Sequence, residues 1–106
     1  MRAAPFHPDR EEISLDRVLA ALADPIRRDI AARIHREGSL LCGQLSYPIA
    51  KSTLSHHLKV LRESGVMHTE VLGTHRRVTL RVDDLNERFP RLLDAVGVTL
   101  ALPAAR

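Results

Sequence analysis

This sequence predicts a mainly α domain with a small β-hairpin, and three observations carry the prediction. Apolar residues recur at three- and four-residue spacing through most of the chain, the period of helices that bury one face. Two runs near residue 75 switch to a period of two on either side of a glycine-containing loop. The chain has 106 residues, enough for one domain and too few for two. A chain of this size buries roughly 65% of its extended surface. Phe6, Tyr47 and Phe89 are its whole aromatic complement, so the core is aliphatic, and stacked-base platforms for single strands are not expected.

The elements follow in order. Residues 1–12 carry Pro5, Pro8 and mixed charge, and read as a flexible arm. Ser14 is placed to cap a first helix with the stripe Leu15, Val18, Leu19 and Leu22. Asp24-Pro25 restarts the chain, Asp as N-cap and Pro in the first helical position. Ile26, Ile30 and Ile34 then continue at i+4, and Gly38 closes the second helix. Ser39 opens a short third helix on which Leu41 and Leu45 are four apart. Ser46-Tyr47-Pro48 forms a turn, because a residue before proline is driven out of the helical region.

Residues 51–65 read KSTLSHHLKVLRESG and are the most informative stretch. Leu54, Leu58 and Leu61 anchor one face of a helix, and Gly65 supplies its left-handed stop. The other faces carry Lys51, Ser52, Thr53, Ser55, His56, Lys59 and Arg62. Hydroxyls, imidazole and cations of this kind donate to phosphates and base edges in a DNA groove. His56 and His57 point about 100° apart. His56 falls on the polar side and is expected at DNA. His57 borders the core and is expected to pack or to meet a phosphate.

A hairpin follows: Val66–Leu72 and Arg76–Val82, joined by Gly73-Thr74-His75, with Val78, Leu80 and Val82 alternating against Arg77, Thr79 and Arg81. His75, Arg76 and Arg77 are expected to touch backbone or minor groove. Asp83 or Asp84 caps a last helix with the stripe Leu85, Phe89, Leu92, Leu93 and Val96, which Pro90 kinks or delays. Residues 97–106 form a weakly apolar tail. The order is helix, helix, short helix, turn, helix, hairpin, helix (α-α-α-α-β-β-α), a winged helix-turn-helix over residues 13–96.

Charge supports the same reading. The net charge is +3, yet between Lys51 and Arg81 six Lys/Arg face two acids, and four of the six histidines share that window. The surplus of four sits on the candidate DNA-reading elements. Cys42 is the only cysteine, which rules out an intrachain disulfide and fits a reducing compartment. No apolar run approaches the roughly 18 residues of a membrane span, and Met1–Pro8 lacks a signal-peptide core. A cytoplasmic protein is expected. Cys42 and the histidines have no nucleophile elbow around them, so an enzyme is not expected. His35 and His68 read as structural.

At this point the residues resemble a known family. Leu22-Ala23-Asp24-Pro25-Ile26-Arg27-Arg28 is similar to the junction of the first two helices in ArsR-type transcriptional regulators. Thr53 to Val66 resembles their recognition helix almost residue for residue, and Gly73 with Arg76 and Arg77 resembles their wing. The resemblance implies a homodimeric, prokaryotic, double-stranded-DNA-binding repressor that releases an inverted-repeat operator on a signal, here an unknown inducer. It implies dimerisation through the first and last helices and places Lys51, Ser52, Ser55 and His56 at DNA. Metal-sensing members carry Cys-x-Cys near the third helix or Asp/His sets on the last. This chain has one thiol at the first place and no His or Cys from Asp84 to Val96, so no metal or other cofactor is expected. Two alternatives stay open: a thiol or metal sensor in which Cys42 recruits His7 or His35, and a winged helix that binds protein rather than DNA.

Overall fold

A computed structural model describes residues 5–99. Helix α1 (Leu15–Leu22) starts where Ser14 accepts the Arg17 N–H at 3.2 Å. It buries Val18, Ala21 and Leu22 but leaves Leu15 and Leu19 each 43% exposed, so the expected stripe is split between two faces. Helix α2 (Pro25–Glu37) starts under Asp24, whose carboxylate accepts the N–H groups of Ile26 (2.8 Å) and Arg27 (3.2 Å). Burial raises the Asp24 carboxyl pKa, but those two bonds and the Arg27 charge outweigh it and hold the group below its ordinary value. Ile30, Ala31 and Ile34 are buried, and Gly38 ends the helix at φ +84°.

The expected short third helix is not there. Leu40–Leu41 forms strand β1, and Cys42–Gln44 makes a single 3-10 turn in which the Gln44 side chain accepts the Leu41 N–H. The buried pair is Leu40 and Leu45, five apart, rather than Leu41 and Leu45. An open edge of the hairpin wins these residues from the helix, because strand pairing satisfies backbone groups that one helical turn leaves orphaned. The chain then runs irregularly through the predicted turn, with the Tyr47 hydroxyl donating to Asp29 at 2.6 Å.

Helix α3 (Lys51–Glu63) lies as read, with Leu61 fully buried and Leu54 and Leu58 packed against the core. Gly65 follows at φ +91°, and a Cβ there would lie 2.6 Å from Ile13 Cγ1. Glycine is therefore required for both conformation and space.

Strands β2 (Met67–Leu72) and β3 (His75–Leu80) pair antiparallel from Met67↔Leu80 to Leu72↔His75, and β1 joins the other side of β3. His75 thus opens β3 rather than lying in the loop. The turn is Gly73-Thr74 with positive φ at Gly73 alone, the type II′ requirement. β3 stops at Leu80, so Val82 opens a helix instead of extending the strand.

The last helix is two. Helix α4 (Val82–Arg88) ends before Phe89-Pro90, and helix α5 (Leu92–Ala95) begins after Arg91, which takes φ +69°. Pro90 supplies no N–H and keeps Phe89 out of the helical region, so the break separates the stripe into Leu85 and Leu93. Neither Asp83 nor Asp84 is the N-cap; both sit in the first turn of α4. Asp84 instead accepts from Arg10 (2.7 Å) and Arg81 (2.9 Å), bonds that hold its carboxyl below its ordinary value.

The arm differs most from expectation. Residues 5–12 lie against the sheet and α4: Pro8 is buried, Arg10–Glu12 form a 3-10 turn, and the chain enters the core at Ile13. β2 is an edge strand, and the His7 side chain covers that edge by accepting the Thr69 N–H at 2.9 Å while stacking on His68 at 4.3 Å. Covering an edge in this way removes an unpaired donor that would otherwise invite another strand. Of the C-terminal tail, Val98 is buried and the Thr99 hydroxyl donates to Asp94; residues 1–4 and 100–106 of the expected arm and tail lie outside the described residues.

Candidate nucleic-acid interface

The outer face of α3 carries Lys51, Ser52, Thr53, Ser55, His56 and Lys59, all exposed. Its first turn contains no acid and Ala50 offers no side-chain cap. The leading N–H groups and the positive end of the helix dipole are thus free for an anion such as a DNA phosphate. The inner face is fixed by Leu54, Leu58 and Leu61, so packing alone determines which residues look outward.

The hairpin flanks this helix, and a cleft of about 330 Å³ opens between them. Ser55, Leu58, Lys59 and Arg62 line it from α3, Met67, Thr69 and Arg76 from the hairpin, and Cys42 from the 3-10 turn. Strand alternation places Arg76 on the same sheet face as Val78, toward α3, and Arg77 on the other. There Arg77 pairs with Glu70, Nη1 to Oε1 3.8 Å, both residues about half exposed. His75 is exposed beside the turn. The two wing arginines therefore have different tasks available to them: Arg76 aims at whatever the recognition helix meets, and Arg77 is partly neutralised.

Two of the predicted contacts are already engaged within the protein. His57 is 7% exposed, three residues after Leu54 and four before Leu61, which puts it on the inward face. Its Nδ1 lies 3.1 Å from Nη1 of Arg27. Arg62 has a side chain only 14% exposed; its Nε donates to the Phe6 carbonyl at 3.1 Å. Arg81, counted in the basic window, is likewise occupied, donating to Asp84 and to the Pro8 carbonyl. The exposed cations of the surface are Lys51, Lys59, Arg76 and Arg77. The residue that sequence reasoning missed is Arg27, which sits in the quoted helix-junction motif but whose contact with α3 no spacing rule reveals.

Cys42 is half-buried in the cleft wall. Burial pushes its thiol up, and the nearby Arg76 charge offsets this only in part, so the thiol stays protonated at neutral pH, the unreactive form. Among the described residues no group of three or more His, Cys, Asp or Glu side chains is arranged to hold a metal ion. His7, one of the two partners considered for Cys42, is engaged with Thr69 and His68. No helix among the described residues is long and apolar enough to cross a membrane.

A basic, hydroxyl-rich helix presented beside a β-wing defines a winged helix-turn-helix DNA-binding protein. Comparison with known proteins agrees. A helix-turn-helix domain family model matches residues 22–70. The chain is 32% identical over 82 residues to the uncharacterized HTH-type transcriptional regulator YceK of Bacillus subtilis (strain 168), covering 74% of this chain and 82% of that protein. It is 38% identical over 65 residues to the HTH-type transcriptional regulator Rv2034 of Mycobacterium tuberculosis (strain ATCC 25618 / H37Rv), covering 59% and 60%. A crystal structure of an ArsR family transcriptional regulator superposes with a TM-score of 0.65 at 24% identity, over 85% of this chain and 92% of that one. The chain belongs to the helix-turn-helix transcriptional regulators and has the ArsR-type winged-helix fold. It is a DNA-binding regulator, not an enzyme.

Proposed function

We propose that the protein is a homodimeric repressor that binds an inverted-repeat operator and releases it on a signal other than a transition metal. The observation that carries this reading is the exposed set Ser55, His56, Lys51 and Lys59 on α3 with Arg76 beside it. Ser55 and His56 are suited to base edges in the major groove, and Lys51, Lys59 and Arg76 to the flanking phosphates. One such helix reads only about four or five base pairs, so a second copy on a dyad supplies the missing discrimination. The exposed Leu15 and Leu19 of α1 support pairing through that helix.

Selection from random duplexes, followed by sedimentation of the protein with the selected site, tests the proposal. The expected result is a palindromic consensus bound by two copies. A monomer with a single non-repeated site would overturn it. Placement of the selected operator ahead of a reporter promoter should lower expression when the protein is present; increased expression would make it an activator instead.

A further inference from the structure

Behind the recognition helix lies a contact that the DNA-reading surface does not explain. Arg27 of α2 donates from Nε to the Ala21 carbonyl at 2.6 Å and from Nη2 to the Ala20 carbonyl at 3.2 Å. These belong to the last turn of α1, where carbonyls have lost their i+4 helical partners and that of Ala20 keeps only a long bond from the Ala23 N–H at 3.4 Å. The same guanidinium reaches Nδ1 of His57 on α3 at 3.1 Å. A guanidinium only donates, so in this contact Nδ1 of His57 is the acceptor. One side chain therefore joins the end of α1, the start of α2 and the middle of α3.

We infer that Arg27 and His57 are a positioning pair that sets the rotation of the recognition helix for operator reading. His57 directly follows the base-facing His56. Side chains extend about 5–6 Å from a helix axis, so a rotation of roughly 10° moves their ends by about 1 Å, enough to break a base-edge hydrogen bond. Phosphate contacts from Lys51 and Lys59 tolerate such a shift, because a lysine ammonium acts as a point charge on a flexible stem, and Arg76 stands on β3, outside the rotating helix. Loss of the pair should therefore lower discrimination between operator and random DNA and leave general affinity in place. Because Arg27 also holds α1, whose outer leucines form the proposed dimer face, the pair links subunit association to helix orientation.

The inference rests on the DNA-reading role proposed for α3, and the test separates the two. His57→Leu removes the acceptor and keeps bulk, whereas His57→Asn puts Oδ1 where Nδ1 was. Each full-length variant is measured on the selected operator and on a random duplex. His57→Leu should lose about tenfold in operator affinity and less than about twofold on random DNA, with His57→Asn recovering to within about threefold of wild type. Equal losses for Leu and Asn, or an unchanged operator-to-random ratio in His57→Leu, would overturn the pairing role. Amide spectra of Arg27→Met without DNA give an independent reading. Resonances of Ser55 and His56 should move while the spectrum stays dispersed, and unmoved resonances would count against the pair. If wild type itself shows no selectivity while those resonances do shift, the DNA-reading role has failed and the pair has not.

Discussion

Replacing Arg76 and Arg77 separately by alanine should show that the wing's two cations are not equivalent. Arg76 lines the cleft shared with Ser55 and Lys59, where a phosphate approaching α3 is met by two cations. Arg77 lies across the sheet with its charge 3.8 Å from Glu70. Each lost phosphate contact reduces the log–log salt slope by about 0.9, so a dimer of Arg76→Ala should lose roughly 1.8. Between 50 and 200 mM salt a change of that size is roughly a tenfold narrowing of the gap between wild type and variant. For Arg77→Ala the change should be less than half as large, because Glu70 already offsets that charge, and Glu70→Gln should steepen the wild-type slope. Affinity by fluorescence anisotropy at four or five salt concentrations, on operator and random duplexes, measures all three. If Arg76→Ala kept the full slope while Arg77→Ala lost it, the assignment of faces to the two arginines would be wrong.

Ser55→Ala or His56→Ala should each cost about 1–3 kcal/mol on the operator and little on random duplex, read from the same titrations. Aspartate at both Leu15 and Leu19 should turn the proposed dimer into a folded monomer by sedimentation, since these side chains are 43% exposed and lie outside the core. Gly65→Ala should destabilise the fold by about 1–3 kcal/mol in urea, from the positive φ together with the collision on Ile13. The pH dependence follows from His7. Burial, followed by the charges of His68, Arg62 and Arg81, lowers its pKa below the ordinary 6.5. The unfolded chain therefore takes up its proton first. Stability should fall as pH drops through 6.5 toward the lowered value and level off beneath it. Urea midpoints at several pH values should show a smaller fall in His7→Gln than in wild type.

Much of the fold was legible because short-range chemistry dictated it. Ser14, Asp24-Pro25 and Gly38 each mark a helix boundary by a local hydrogen bond or φ requirement, and the structure places the boundaries there. The leucine stripe of α3 needed no tertiary knowledge either. The errors lie where distant partners compete with local pattern. Leu41 and Leu45 have helical spacing, but β3 offers Leu40 and Leu41 a strand to pair with, 38 positions away at Leu40↔Val78. No period in the segment itself carries that information. Pro90 was recognised as a disturbance, but whether a proline kinks a helix or ends it depends on what the next residues pack against, and here they begin again at Leu92.

The same limit governs the site. Sequence order identified which residues of α3 face outward, since burying Leu54, Leu58 and Leu61 leaves few choices for the opposite side. It identified less well which cations are free. Arg62 falls on the polar side of α3 by position, yet the Phe6 carbonyl and Glu63 take its guanidinium. Arg81 likewise goes to Pro8 and Asp84. Both losses trace to the arm, whose two prolines and mixed charge read as flexible but whose carbonyls meet guanidinium groups supplied from the far end of the chain. Two arginines that add to the positive charge of the window thus hold the protein together, and the charge count overstates what the surface offers to DNA. His57 shows the converse. Imidazole is polar enough to be counted with the surface, but an acceptor nitrogen facing Arg27 makes it compatible with burial. A charge or a ring is assigned to DNA by what else competes for it, and that competition becomes visible only when the chain is folded.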